Sequence, residues 1–198
     1  MLANAHTKFR HPSGFSLIEV LITLLILAFG LLGLAGMIGK TNLIEVESYQ
    51  RSQAILLLSS MSERIKANRG DPTKPSKYIS TNVFGTGDAS QPTSCTNLPA
   101  GTARDQCEWG VELLGASEQT SGTKIGGMTG ARGCITQVSA PNPAAGVCTP
   151  GVYLVVVAWQ GMHQTIAPAL ACGANLYGAD SYRRVVSEQI SIGLPSCL

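Results

Sequence analysis

Gly14-Phe15-Ser16-Leu17-Ile18-Glu19-Val20 sets one carboxylate at the head of a long apolar run. From Val20 to Gly39 twenty consecutive residues carry no charge. As an α-helix rising about 1.5 Å per residue, that run spans about 30 Å, the thickness of a bilayer's hydrocarbon core. Glu19 then lies at the lipid-facing end of the helix, where an ionised carboxylate costs on the order of 3 kcal/mol. The acid calls for a partner.

Lys8 and Arg10, with no acid before Glu19, hold the N-terminus in the cytoplasm by the positive-inside tendency and send the rest outward. A secretory signal peptide starts the same way, but its apolar core runs only about 7–15 residues and is cut beyond that core. Gly33-Leu34-Ala35 offers a small-x-small triplet, yet the core before it is overlong and contains Glu19. An uncut anchor fits the length and leaves the acid unexplained.

A third outcome comes from resemblance. Gly14-Phe15-Ser16-Leu17-Ile18-Glu19 resembles the class III leader junction of type IV prepilins, and Leu27-Ala28-Phe29-Gly30-Leu31-Leu32-Gly33-Leu34-Ala35-Gly36-Met37 is similar to the PilV-like minor pilins, or type IV pilus modification proteins. Weaker echoes are Asp105 with Trp109, the Val155 to Trp159 strand, and Tyr182-Arg183-Arg184 after Cys172. The resemblance implies that a prepilin peptidase cuts after Gly14 and methylates Phe15, the apolar segment being kept. It implies that Glu19, fifth residue of the mature chain, guides docking of an incoming subunit. One helical turn separates Glu19 from the new amine of Phe15, and opposite charges about 4 Å apart attract by about 4 kcal/mol at an effective dielectric near 20. That is comparable to the cost of holding the acid in lipid.

Composition fits one exported domain behind this segment. The chain has 198 residues and a formal net charge of +2 from 14 basic and 12 acidic side chains. Without Lys8 and Arg10 the two signs balance, so no basic stripe points to nucleic acid. Six cysteines, Cys95, Cys107, Cys134, Cys148, Cys172 and Cys197, all lie beyond the apolar run and read as three disulfides formed in an oxidising periplasm. No Cys-x-x-Cys pair occurs and His163 is the one histidine there, which argues against a metal site. Spacing cannot choose among the pairings; nearest-neighbour bridges, Cys95 to Cys107, Cys134 to Cys148 and Cys172 to Cys197, are preferred because each staples a local loop.

Apolar residues at Leu43, Val46, Ala54, Leu57, Leu58, Met61 and Ile65 continue the helical period among charged neighbours. One helix from Phe15 to Arg69 is expected, ended by Asn68-Arg69-Gly70-Asp71-Pro72. Glycines at 30, 33, 36 and 39 form a strip suited to close helix packing or merely tolerated in lipid. Residues 72–102 and 115–133 read as loops, and the stretches 70–102 and 115–133 as the better candidates for partner contacts. Ala103 to Leu114 fits either a short helix or a strand, the helix being favoured. Strands are expected at Cys134 to Val138, Val152 to Trp159 and Arg183 to Ile192. The class is α+β: an antiparallel sheet covered by the second half of the long helix, as in pilins.

Catalytic readings find little purchase. His163 sits in a polar loop with no Gly-x-Ser-x-Gly elbow, bridged cysteines are no nucleophiles, and no phosphate loop or dinucleotide fingerprint occurs, so neither an enzyme nor a cofactor is expected. Trp109 and Trp159 read as core. Arg183 and Arg184 read as solvated charges flanking a strand, or as partners for acids on a neighbouring subunit. Three divisions follow: a leader at 1–14, a transmembrane or filament-core half-helix at 15–39, and a periplasmic head at 40–198. The expected role is a non-catalytic minor pilin acting in the initiation of a type IV pilus, held in the inner membrane and its lipid until extracted into the filament. Its partners are other minor and major pilins, the prepilin peptidase and the inner-membrane assembly machinery. The alternatives are a minor pseudopilin of a type II secretion system, a membrane-anchored periplasmic binding protein that never polymerises, and an exported enzyme.

Overall fold

The computed structural model describes residues 14–70, 75–92, 94–115, 119–120, 123–124 and 128–194. Helix α1, Leu17–Ala67, runs 51 residues and passes into a 3-10 turn at Asn68–Gly70, close to the expected end. Asp71 and Pro72 of the expected stop signal lie outside the described residues. The chain divides into two units between Ile44 and Glu45. Within the first, every large apolar side chain from Phe15 to Ile44 is exposed.

The second unit is an α+β domain. Its sheet is antiparallel in the order β1-β4-β5-β6, from β1 (Phe84–Gly85), β4 (Arg132–Ser139), β5 (Gly151–Gln160) and β6 (Arg183–Ile192). A separate two-residue pair, β2 (Gln119–Thr120) and β3 (Thr123–Lys124), lies in what the sequence reads as plain loop. β6 pairs with β5 along its whole length, from Gln160 opposite Arg183 to Gly151 opposite Ile192. A bulge between Gln137 and Ser139 shifts the β4–β5 register.

Alternation decides what each strand buries. Tyr153, Val155, Val157 and Trp159 of β5 point into the main core with Ile135 of β4 and Ile190 and Ile192 of β6. Ala54, Leu58, Met61 and Ile65 of α1, spaced four and three apart, lay one helical stripe on that face. Helix α2, Thr102–Leu113, completes the layer, which resolves the helix-or-strand ambiguity in favour of the helix. Its Trp109 is fully buried, donates from Nε1 to the Leu57 carbonyl at 2.9 Å, and packs against the Phe84 ring at 5.6 Å.

Two glycines make this packing possible by lacking a side chain. A Cβ on Gly133 would lie 2.2 Å from Cη2 of Trp109, so β4 accepts the indole only as glycine. A Cβ on Gly110 would lie 1.8 Å from Oε1 of Gln91, whose amide donates to the Cys107 carbonyl at 2.9 Å. The glycine that weakens α2 as a helix is thus the place where the preceding loop docks on it.

The loops correct one expectation. Pro75, Tyr78 and Phe84 from the Pro/Ser-rich segment are buried, and so are Met128 and Ala131 from the glycine-rich one. Both segments contribute to the core and are not wholly free for partner contacts. Among the described residues these buried side chains stand at irregular spacing, without a helical or strand period.

Candidate functional site: the N-terminal helical segment and the ties of the head

Gly14 and Phe15 precede the first turn of α1, with the Phe15 side chain 84% exposed. Ser16 opens the helix: its carbonyl accepts from the backbone N–H of Glu19 at 3.0 Å and of Val20 at 3.3 Å. Glu19 is the acid of that first turn, where the helix dipole favours negative charge. It is exposed and, among the described residues, forms no ion pair. Residues 1–13 of the expected leader lie outside the described residues.

Beyond Glu19 the segment buries nothing. The two hydroxyls near its ends turn inward to the helix, Thr23 Oγ1 donating to the Val20 carbonyl at 2.8 Å and Thr41 Oγ1 to that of Met37 at 3.0 Å. A Cβ on Gly30, Gly33, Gly36 or Gly39 would meet nothing within 4 Å, so no contact inside the described chain requires glycine there. Among the described residues α1 is the one helix long and apolar enough to cross a membrane. Chemically the segment offers a continuous apolar surface with a single acid at its head.

In the second unit the expected cysteine pairing is corrected. Cys95 is bonded to Cys107, but Cys134 is bonded to Cys172 and not to Cys148. Cys134 stands between the core residues Gly133 and Ile135 of β4, so it faces the opposite side of the sheet, beside Val156 of β5. There Val156, Ala158, Cys172 and Tyr177 form a second, smaller core as the segment after β5 folds back over the sheet. Cys148 is also disulfide-bonded, so it has no free thiol. Cys197 lies outside the described residues, and with it the expected Cys172 to Cys197 bridge is replaced.

The tandem arginines are corrected as well: both are paired within the chain. Arg183 is 2% exposed, with Nε and Nη2 donating to the two carboxylate oxygens of Asp180 at 2.7 Å each. Its remaining donors go to the carbonyls of Pro168, Leu170 and Cys172. One buried guanidinium therefore organises the whole returning segment, its bidentate acid offsetting the cost of desolvation. Arg184 donates from Nε to Glu47 of α1 at 2.6 Å and from Nη2 to the His163 carbonyl at 2.7 Å. Glu47 also meets His163 Nδ1 at 2.9 Å, which ties the loop after β5 to α1. His163 itself is 63% exposed, as befits a loop residue. Sequence reasoning missed Glu47 and Asp180; the one available signal was the three-residue spacing of Asp180 from Arg183.

A second tie joins α1 to α2. Arg64 reaches Glu108 at 2.6 Å, Glu112 at 2.8 Å and Asp105 at 3.6 Å, while Arg104 holds the other oxygen of Glu108 at 2.8 Å. The hydrogen bonds from Arg64 and Arg104 hold the Glu108 carboxyl below its ordinary range. Burial lowers the Arg64 guanidinium, but its hydrogen bond to Glu108 and the charges of Glu112, Glu108 and Asp105 outweigh that and raise it. Tyr78 donates to Asp105, and burial followed by that bond pushes the phenol up. Asp180 is held low chiefly by its hydrogen bonds from Arg183. Among the described residues no group of three or more metal-ligating side chains converges.

Trp109 and Trp159 are core residues, 0% and 2% exposed. The exposed apolar surface of the N-terminal segment, from Phe15 to Ile44, overlaps the stretch that a comparison with known proteins matches. No curated protein and no solved structure matches the chain. Residues 9–35, which include Gly14, Phe15 and Glu19, match the family model described as the prokaryotic N-terminal methylation motif, so the chain carries at its N-terminus the processing motif typical of type IV pilins and pseudopilins.

Proposed function

We propose that this chain is a minor pilin, a non-catalytic subunit that takes part in starting the assembly of a type IV pilus. In this reading residues 1–14 are the leader, cleavage after Gly14 exposes Phe15 for methylation, 15–39 pass from lipid into the filament core, and the head from 40 onward stays in the periplasm until assembly. The single observation that carries the reading is the methylation motif at the head of a helical segment whose large apolar side chains are all exposed from Phe15 to Ile44. A large aliphatic or aromatic side chain contributes about 1.5–3 kcal/mol when moved from water to an apolar surround. Such a surface is stable only in lipid or against similar helices. Exchange of one apolar surround for the other is the physical basis of extraction and assembly.

Glu19 supplies direction. In lipid its carboxylate is costly, and the charged amine of a neighbouring mature Phe15 offsets that cost at close approach. Glu19→Ala and Glu19→Gln are therefore expected to leave membrane insertion intact and to lower incorporation several-fold. Incorporation is read by quantifying the chain in sheared pili. Normal incorporation of both variants would remove the docking role.

The motif also fits a minor pseudopilin of a type II secretion system, since pseudopilins carry it too. Deletion of the gene separates the two: loss of surface pili with secretion unchanged supports the pilin, and the reverse supports the pseudopilin.

A further inference from the structure

The loop 161–170, which leaves the end of β5, is fixed through its polar groups. Gly161 donates its N–H to the Tyr182 carbonyl and Thr165 its N–H to that of Ser181, each at 2.8 Å. Arg184 donates to the His163 carbonyl and to the Thr165 hydroxyl oxygen at 2.7 Å each, and Arg183 to the carbonyls of Pro168 and Leu170. With these groups engaged by the head, the apolar side chains are left outside. Ile166 is 93% exposed, above every other large apolar side chain among the described residues, and Met162 is exposed too. The loop contains no Asp, Glu, Lys or Arg, and none occurs anywhere between Arg132 and Asp180. It is an uncharged apolar knob on a backbone tied at several points.

Its anchor stands close, along the chain, to the end of the apolar run. His163 and Arg184 both reach Glu47, at 2.9 and 2.6 Å. Glu47 comes eight residues after Gly39, the last of the uncharged stretch. Along the continuous helix α1 that interval is about 12 Å at about 1.5 Å per residue. The headgroup layer of a bilayer takes up about 5–8 Å of it. The interval is itself partly apolar, since Leu43, Ile44 and Val46 are exposed on it, and the stem of Lys40 is long enough to carry its charge to the headgroups.

From this placement we propose that the loop 161–170 is a second membrane contact, Ile166 and Met162 entering the headgroup boundary of the bilayer that holds residues 15–39. The proposal rests on the reading of that segment as membrane-held. Aliphatic side chains with no ion beside them enter the boundary between headgroups and acyl chains without desolvating a charge. Protein hot spots centre on Trp, Tyr and Arg, and the loop has none of these. Lipid accepts Ile166 without a shaped pocket. While the contact lasts the head is tied to the membrane at a second point, and extraction into a filament has to release it.

The test is tryptophan quenching in the full-length chain, reconstituted into vesicles of phosphatidylethanolamine and phosphatidylglycerol with and without acyl chains brominated close to the headgroup. Trp109 and Trp159 are buried and give a background read in the unsubstituted chain. Ile166→Trp is compared with Val147→Trp, which is also exposed but lies before the start of β5, at the strand's opposite end. Phe29→Trp, inside the apolar run, reports whether the helix is in the bilayer. Positions 166 and 147 are both exposed, so neither substitution disturbs the core. The expected result is strong quenching at 29 and quenching at 166 several-fold above that at 147. Quenching at 166 no greater than at 147, with 29 quenched, overturns the loop contact and leaves the membrane reading standing; no quenching at 29 overturns both. A blue shift at 166 without quenching would show a protein neighbour and overturn lipid as the occupant.

Discussion

Gly133→Ala places a methyl where the indole of Trp109 already lies, 2.2 Å from Cη2 and 2.5 Å from Cζ3, with Cδ1 of Leu113 at 2.8 Å. The ring has nowhere to go without loss, because Nε1 is bonded to the Leu57 carbonyl and one flank meets Phe84. Forcing an extra carbon into a packed core costs about 1–3 kcal/mol, and displacing Nε1 sacrifices a hydrogen bond worth about 1 kcal/mol. Alanine recovers about 0.4–1 kcal/mol by restricting the unfolded chain, since Gly133 does not use a positive φ. The net expectation is a destabilisation of about 1–3 kcal/mol. In a domain of this size each kcal/mol moves the melting temperature by about 2–4 °C, so a fall of roughly 2–12 °C is expected in thermal unfolding of the purified chain. Trp109→Phe removes the atoms that clash, so the Gly133→Ala penalty should largely vanish in that background, a positive coupling in a double-mutant cycle. An unchanged or raised melting temperature in Gly133→Ala alone would refute the close packing of β4 on Trp109.

Two further outcomes follow from the ties of the head. Glu108 and Asp180 have carboxyls held below their ordinary values of 4.5 and 3.8. A depressed folded-state value means stability that is fully present above the unfolded value and lost as pH falls through the folded one. The melting temperature should therefore hold above about pH 5 and decline below about pH 4, and Arg64→Met, which leaves Glu108 paired with Arg104 alone, should make that decline shallower; an acid limb of the same slope would contradict the Arg64–Glu108 pairing. Non-reducing peptide mapping should find Cys95 joined to Cys107, Cys134 to Cys172 and, by elimination, Cys148 to Cys197, with reduction costing about 2–4 kcal/mol per bridge. Recovery of a Cys134 to Cys148 peptide would contradict the return of the segment over the sheet.

Much of this was readable locally. The end of α1, the strand at Arg183–Ile192 and the helical choice for Thr102–Leu113 rest on periodicity and stop signals within a few residues of each position. The methylation motif was likewise legible because it is one contiguous stretch. What escaped depends on distant partners. Cys134 bonds across 38 residues because of the side of β4 on which it stands, and loop closure disfavours long spans too weakly to forbid it. Arg183 is buried because three carbonyls and Asp180 converge on it, an arrangement with no periodic trace. Tyr78 enters the core from a stretch whose composition reads as surface.

The central claim is that the apolar helix is kept and its leader removed at Gly14. Intact mass together with N-terminal sequencing of protein taken from membranes tests it most directly. The account predicts a mature chain beginning at N-methylated Phe15, with processing blocked in Gly14→Val. A chain beginning near Gly36 would show ordinary signal-peptide cleavage, and one beginning at Met1 an uncut anchor; either would contradict the pilin reading.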